Sequence, residues 1–263
     1  MRLPNVLIPV LFFGEGWLIA AVVLVFYPIA GMQTWWLPIA AGLLFAAALS
    51  FTMKRRLMRA HQREETIVPT STDRHPGIDL AALGSLSAQF AALGFDQQID
   101  YTVQHTPPTG VDGFARLFYH PQARVVAEVN QVMLRGAPAT PMASTLFSLF
   151  QDDWSFSTMT RLPTKNTAII YALRRPKRLW QIAPGAGPEM AFSRHVSAVE
   201  ALSKRLPLRP VEGDPVDAFL ANQQRQKVER YEVSRKRNLF AFLLDIDRYS
   251  WAPKLEWLGS DSG

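Results

Sequence analysis

The sequence predicts a membrane-anchored α+β protein: a two-helix transmembrane hairpin, then an antiparallel sheet of about five or six strands with flanking helices and a long C-terminal helix. Three observations predict it. Residues 6–53 hold a single charged side chain, Glu15, within two long apolar runs. From about residue 98 the period changes: Ile99, Tyr101 and Val103 alternate, and short strand-like runs separated by turn signals continue to residue 173. On either side of that stretch the period returns to that of a helix, and the chain closes with about fifty residues of helical composition. The 263 residues divide accordingly into a hairpin at 1–60, a linker at 61–77, an α+β domain at 78–212 and a helical tail at 213–263.

The two apolar runs, 6–27 and 35–53, are each long enough to cross a hydrocarbon core, which takes roughly 20 helical residues. The uncharged turn 28–34 joins them, flanked by Tyr27, Trp35 and Trp36 as rings at an interface would be. A cleaved signal peptide fits less well, because the first run is long and a second follows at once. The run FTMKRRLMRAHQR carries Lys54, Arg55, Arg56, Arg59 and Arg63 and no acid. By the bias of basic residues toward the cytoplasmic side, it places both termini in the cytoplasm, and it is also the expected contact with lipid headgroups. The layout is that of a two-pass bacterial inner-membrane protein. Glu15 lies near the middle of the first run between Gly14 and Gly16. An ionisable group there is costly, so it is read either as a polar contact to a partner helix or as a side chain reaching back to the interface.

In the domain, Asp79 caps a helix whose apolar stripe is Leu83, Leu86, Phe90 and Leu93, and Gly94 ends it. Strands follow at 98–105, 113–120 and 123–134, the last two joined by the turn residues His120-Pro121-Gln122-Ala123. Strands at 142–151 and 154–161 flank Asp152-Asp153 as a second hairpin, and 167–173 is a sixth strand. Connections this short favour antiparallel pairing. Pro188 then opens a helix with the stripe Phe192, His195, Val196, Val199, Leu202 and Leu206. The tail reads as one helix over 214–246, polar in its middle, followed by a tryptophan-bearing end. Leu239, Phe240, Phe242, Leu243, Trp251 and Trp257 make that end a docking element for the domain itself, a bilayer interface or a partner groove.

The net charge of +6 belongs to the first segment: residues 1–63 hold six Lys/Arg and one acid, and of the chain's 28 Lys+Arg and 22 Asp+Glu this leaves 22 and 21. That near balance gives no support for nucleic-acid binding. The absence of cysteine excludes disulfides, thiolate metal sites and a cysteine nucleophile. No phosphate loop, nucleophile elbow or paired-histidine zinc motif occurs, and the five histidines lack ligand spacing, so neither cofactor nor metal is expected. The candidates for catalysis are His195 as a general base with Asp152 and Asp153. Against them stand a histidine hydrogen-bonded at the core edge and two acids serving a tight turn. The run Arg174, Arg175, Lys177, Arg178 reads as a solvated loop, with headgroup contact as the alternative.

These readings lead to a non-catalytic interaction or scaffold module at a membrane, with lipid and a protein partner, or self-association through hairpin or tail, as its contacts. The alternative is a membrane-surface hydrolase acting on a lipid-linked or peptide substrate through His195, Asp152 and Asp153.

Overall fold

A computed structural model describes residues 42, 48, 51, 52, 55, 64–106, 111–134, 140–161, 165–236 and 239–258. From Glu64 onward these residues form one mixed sheet with helices on both faces. In chain order the elements are β1 (Glu64–Pro69), α1 (Leu80–Ala92), β2 (Asp96–Thr106), β3 (Val111–His120), β4 (Val125–Leu134), β5 (Ala143–Leu149) and β6 (Ser155–Met159). They continue with α2 (Lys165–Ala172), β7 (Arg178–Ile182), α3 (Pro188–Arg205), α4 (Pro215–Lys236), α5 (Leu239–Trp251) and β8 (Glu256–Trp257). The eight strands lie in sequence order across the sheet. Every pairing is antiparallel except β6 with β7, which are parallel.

Local chemistry explains the boundaries. Asp79 Oδ1 accepts from the Ala82 N–H at 2.9 Å and caps α1. At the other end Gly94 takes φ +88°, its N–H bonds to Ala91 O, and the Phe95 N–H reaches Phe90 O. This is a Schellman stop, sealed by the Phe90 and Phe95 rings at 5.2 Å. Between β5 and β6 the chain reverses through Asp152 and Asp153 at φ 55° and 64°, with the Trp154 N–H bonded to Gln151 O. Two central residues at positive φ give the hairpin turn whose twist matches the strands, and aspartate tolerates it.

Alternation along the strands makes the two faces different. One face carries Phe114, Phe118, Val125, Ala127, Val129 and Leu146 against Leu83 and Phe90 of α1 and Ala191 of α3, all buried. Further along, Phe156 and Leu179 pack on Leu202 of α3. The opposite face is covered in pieces: Phe219 of α4 buries itself on Leu117 and Val126, and Tyr249 of α5 joins Tyr171 and Trp180.

Several expectations need correction. No helix among the described residues is long and apolar enough to cross a membrane, so no transmembrane hairpin is seen. α4 has 22 residues but is too polar, and α5 has only 13 where roughly 20 are needed. The integral-membrane reading, with its two passes, inner-membrane location and cytoplasmic termini, is therefore withdrawn. The expected spans 6–27 and 35–53, with Glu15, lie outside the described residues apart from Gly42, Ala48, Phe51 and Thr52. Of the basic side chains in that run only Arg55 is described, exposed and helical; Lys54, Arg56, Arg59 and Arg63 lie outside.

The sheet has eight strands, not five or six, and is not wholly antiparallel. The expected strand 167–173 is the crossover helix α2, which is what allows β7 to lie parallel to β6. Its short run of apolar, partly β-branched residues carries no period that separates strand from helix. The expected linker contains β1, and the single long C-terminal helix is two helices, α4 and α5.

Candidate anion-binding groove

The polar residues of β4 are out of keeping with their neighbours. Val125, Ala127 and Val129 point into the α1/α3 face, while Glu128 and Asn130 point to the other, beneath α4 and α2. Thr145 of β5, Ser155 and Ser157 of β6 and Arg178 of β7 extend this polar floor; Glu128 pairs with Thr145 in register, and Ser155 with Arg178. A groove of about 460 Å³ lies above it.

Five arginines line this groove: Arg161, Arg174, Arg175, Arg178 and Arg230. Arg178 is buried and gives Nη1 to Ser155 Oγ at 3.0 Å and to Asn222 Oδ1. Its Nε and Nη2 form a fork onto both oxygens of Glu229, at 3.2 and 3.1 Å. Arg175 pairs with the same carboxylate, so one acid serves two guanidiniums. Arg174 meets Asp245 at 2.9 Å and stacks 4.2 Å from the Tyr171 ring centroid. Arg161 bonds to the amide oxygen of Asn130, a neutral partner.

The remaining acid is engaged as well. Glu128 accepts from Tyr101 O–H at 2.9 Å and from Asn130 Nδ2, which extends the chain to Arg161. Burial, reinforced by Glu128, holds the Tyr101 hydroxyl well above its ordinary pKa. That tyrosine stays a neutral donor.

Burial first, and crowding second, show in the arginines' acidity. Burial, then repulsion from Arg178 and Arg230, pulls Arg175 down to about 10. Burial and Arg225 do the same to Arg178, also to about 10. Burial lowers Arg230 too, against the pull of Glu65. All three remain cations at neutral pH, so the repulsion is carried by the folded protein. Buried donors at or beside the groove, Arg175 Nε, Trp180 Nε1 and Asn222 Nδ2, have no hydrogen-bond partner among the described residues. Forked guanidiniums in a part-dry groove suit one kind of guest, a carboxylate or phosphate held through charge-assisted bonds.

The residues singled out from sequence lie elsewhere. His195 is fully buried on the α3 side, with Nε2 2.9 Å from Ser148 Oγ and Nδ1 2.8 Å from Thr158 Oγ1. Burial lowers it to about 3, so it is neutral and shut away from solvent. Asp152 and Asp153 are exposed in the β5–β6 turn, where Asp153 pairs with Arg225 and the Asp152 carbonyl accepts from Lys177 Nζ. None of the described bonds joins His195 to either aspartate.

In the tail, Phe242 is buried against Ala172 and Leu173, and Trp257 donates Nε1–H to Arg175 O at 2.9 Å while β8 pairs with β7. Trp251 is exposed, and the side chains of Leu239, Phe240 and Leu243 lie outside the described residues. The run 174–178, expected to be a solvated loop, instead supplies three groove arginines, with only Lys177 exposed among its basic residues.

Sequence reasoning passed over Tyr101, Glu128, Asn130, Arg161 and Arg230. A signal existed in β4: Glu128 and Asn130, at i and i+2 in a strand whose only other polar residue is Gln131, mark one face as polar where both faces are covered. Comparison of the chain with protein-family models, with curated proteins and with solved structures finds no match in any of the three.

Proposed function

We propose that this protein is a non-catalytic interaction module whose arginine-lined groove binds the anionic group of a ligand. The observation that carries the reading is the crowding of five guanidiniums on a polar floor, two of them sharing the single carboxylate of Glu229. Cations pressed together in a half-buried groove cost the fold free energy, and a bound anion relieves the cost. Retaining such a cluster is what a binding site requires and what a purely structural sheet face does not. Binding rather than reaction is favoured because the groove hydroxyls, Thr145, Ser155 and Ser157, have no histidine beside them in the described lining.

Titration calorimetry of the full-length protein with inorganic phosphate tests this. Arg161 is the arginine to change, since it bonds to a neutral amide and its loss breaks no ion pair among the described residues. Arg161→Gln is expected to weaken phosphate binding about tenfold or more, the worth of a charge-assisted bond at roughly 1.5–3 kcal/mol, with little change in melting temperature. Equal affinity in the two proteins, or no binding to the parent at millimolar phosphate, overturns the reading.

A further inference from the structure

The arginine groove does not end beneath α4. A second, larger hollow of about 700 Å³ adjoins it toward the β1 edge of the sheet. The two share Glu128, Gln223 and Arg230 as a common wall. Both hollows mix polar and apolar side chains, and beyond the shared wall the second has Glu65, Gln224 and Lys227 at its polar positions. The second hollow has Ile67, Tyr101 and Val103 on its floor and Val228 and Tyr231 on its helix side. Ile67 and Val103 are half-buried, and Val228 is 61% exposed although its helix lies against the sheet. Apolar surface left bare in a trough is surface that an apolar guest removes from water.

We infer that the ligand is an anionic amphiphile, a single-headed alkyl carboxylate or phosphate monoester, with its head among the arginines and its chain along the trough between α4 and strands β1 and β2. The inference rests on the anion-binding reading of the groove and adds the other half of the guest. Charge favours one direction. The trough sets two acids, Glu65 and Glu128, against Lys227 and the shared Arg230, whereas the described lining of the first groove sets Glu128 against five arginines, so an anionic head is drawn to the first groove. Among the described strands β1 lies at the edge of the sheet, and the trough runs beside it.

The test is a chain-length series on the full-length protein in detergent-free buffer, by calorimetry: inorganic phosphate, then butyl, hexyl and octyl phosphate below their aggregation limits, with octanoate and octanol beside them. Affinity is expected to rise about three- to fourfold for each methylene added, the ratio that roughly 0.8 kcal/mol per buried CH₂ gives. Octanol, without a head, is expected to bind more weakly than either anion, and octanoate against octyl phosphate identifies the preferred head. Val103→Trp fills the trough and is expected to flatten the series while leaving inorganic phosphate binding in place. Val228→Asp, at an exposed helix position, serves the same end should the tryptophan disturb folding. A flat series in the parent protein, with phosphate binding intact and sensitive to Arg161→Gln, overturns the amphiphile and leaves the anion site standing. No binding of phosphate or of any alkyl phosphate removes both.

Discussion

The two faces of the sheet are built from the same strands and differ in almost every physical respect. On the α1/α3 face, Phe90 stacks on Phe118 at 5.4 Å between centroids and meets Phe95 edge-on, and Arg116 on this side is matched by its own acid, Asp100. Its buried histidines are partnered too: His195 has both ring nitrogens matched to hydroxyls, and His75 has Nε2 3.0 Å from Thr70 Oγ1. On the α4 face, Glu128, Asn130 and Arg178 stand beside Thr145, Ser155 and Ser157, under a helix that leaves two hollows beside it. Alternation lets one strand serve both purposes, because successive side chains enter different environments. The first face holds the fold together. The second carries polar groups at a cost to stability, and the cost is concentrated where a ligand fits.

That contrast breaks first at the core. Phe90→Ala removes a fully buried ring and is expected to cost about 3–5 kcal/mol, read from the midpoint of urea unfolding. Phosphate affinity, measured well below that midpoint, should be unchanged. A comparable loss of stability from Arg161→Gln would erase the distinction between the faces.

The next effect depends on pH. Burial depresses His195 from 6.5 to about 3, so the unfolded chain takes up a proton that the folded protein refuses. Its contribution is fully present above pH 6.5 and is lost as pH falls toward 3, by up to about 1.4 kcal/mol per pH unit. Unfolding midpoints measured from pH 7 to 4 should fall accordingly. His195→Leu leaves Ser148 and Thr158 without their ring partners, so it should be less stable at pH 7 by about 1–3 kcal/mol. It should also have a shallower slope, and an unchanged slope would mean that the acid sensitivity arises elsewhere.

A smaller effect sharpens the groove side. Glu128→Gln keeps an acceptor for the Tyr101 hydroxyl while removing the negative charge at the junction. Phosphate should bind about two- to fivefold more tightly, as expected for roughly 0.5–1 kcal/mol from a nearby unit charge in a wet groove. Weaker binding would show that Glu128 orients the site more than it repels the guest.

What the sequence discloses follows the same division. Features closed by neighbouring residues are legible: Asp79 and Gly94 bracket α1, and the turns at 120–123 and 152–153 lie between alternating runs. Features that depend on distant partners are not. The peptide EETIVP of β1 looks like a polar linker until β2 supplies its hydrogen bonds, from Glu64 with Thr106 to Pro69 with Tyr101. The run at 167–173 becomes a helix because β7 must return parallel to β6. The groove draws Tyr101, Glu128, Arg161, Arg178 and Arg230 from separate parts of the chain, with no spacing to betray them. Only the basic run 174–178 was visible, and its charge balance with the rest of the domain suggested solvent rather than a groove wall. The two apolar runs that suggested a membrane hairpin lie almost wholly outside the described residues, and no described helix replaces them as a span.

Arginine side-chain NMR puts the two faces in one experiment. Arg116 lies on the α1 side, forked onto Asp100 with both contacts at 2.7 Å, and serves as an internal control. Titration of the full-length protein with inorganic phosphate is predicted to shift the Nε–Hε signals of Arg161, Arg175 and Arg178 along a common saturating curve while that of Arg116 stays in place. Shifts of equal size at Arg116, or no saturation at the groove arginines, would contradict the assignment of the α4 face as the binding face.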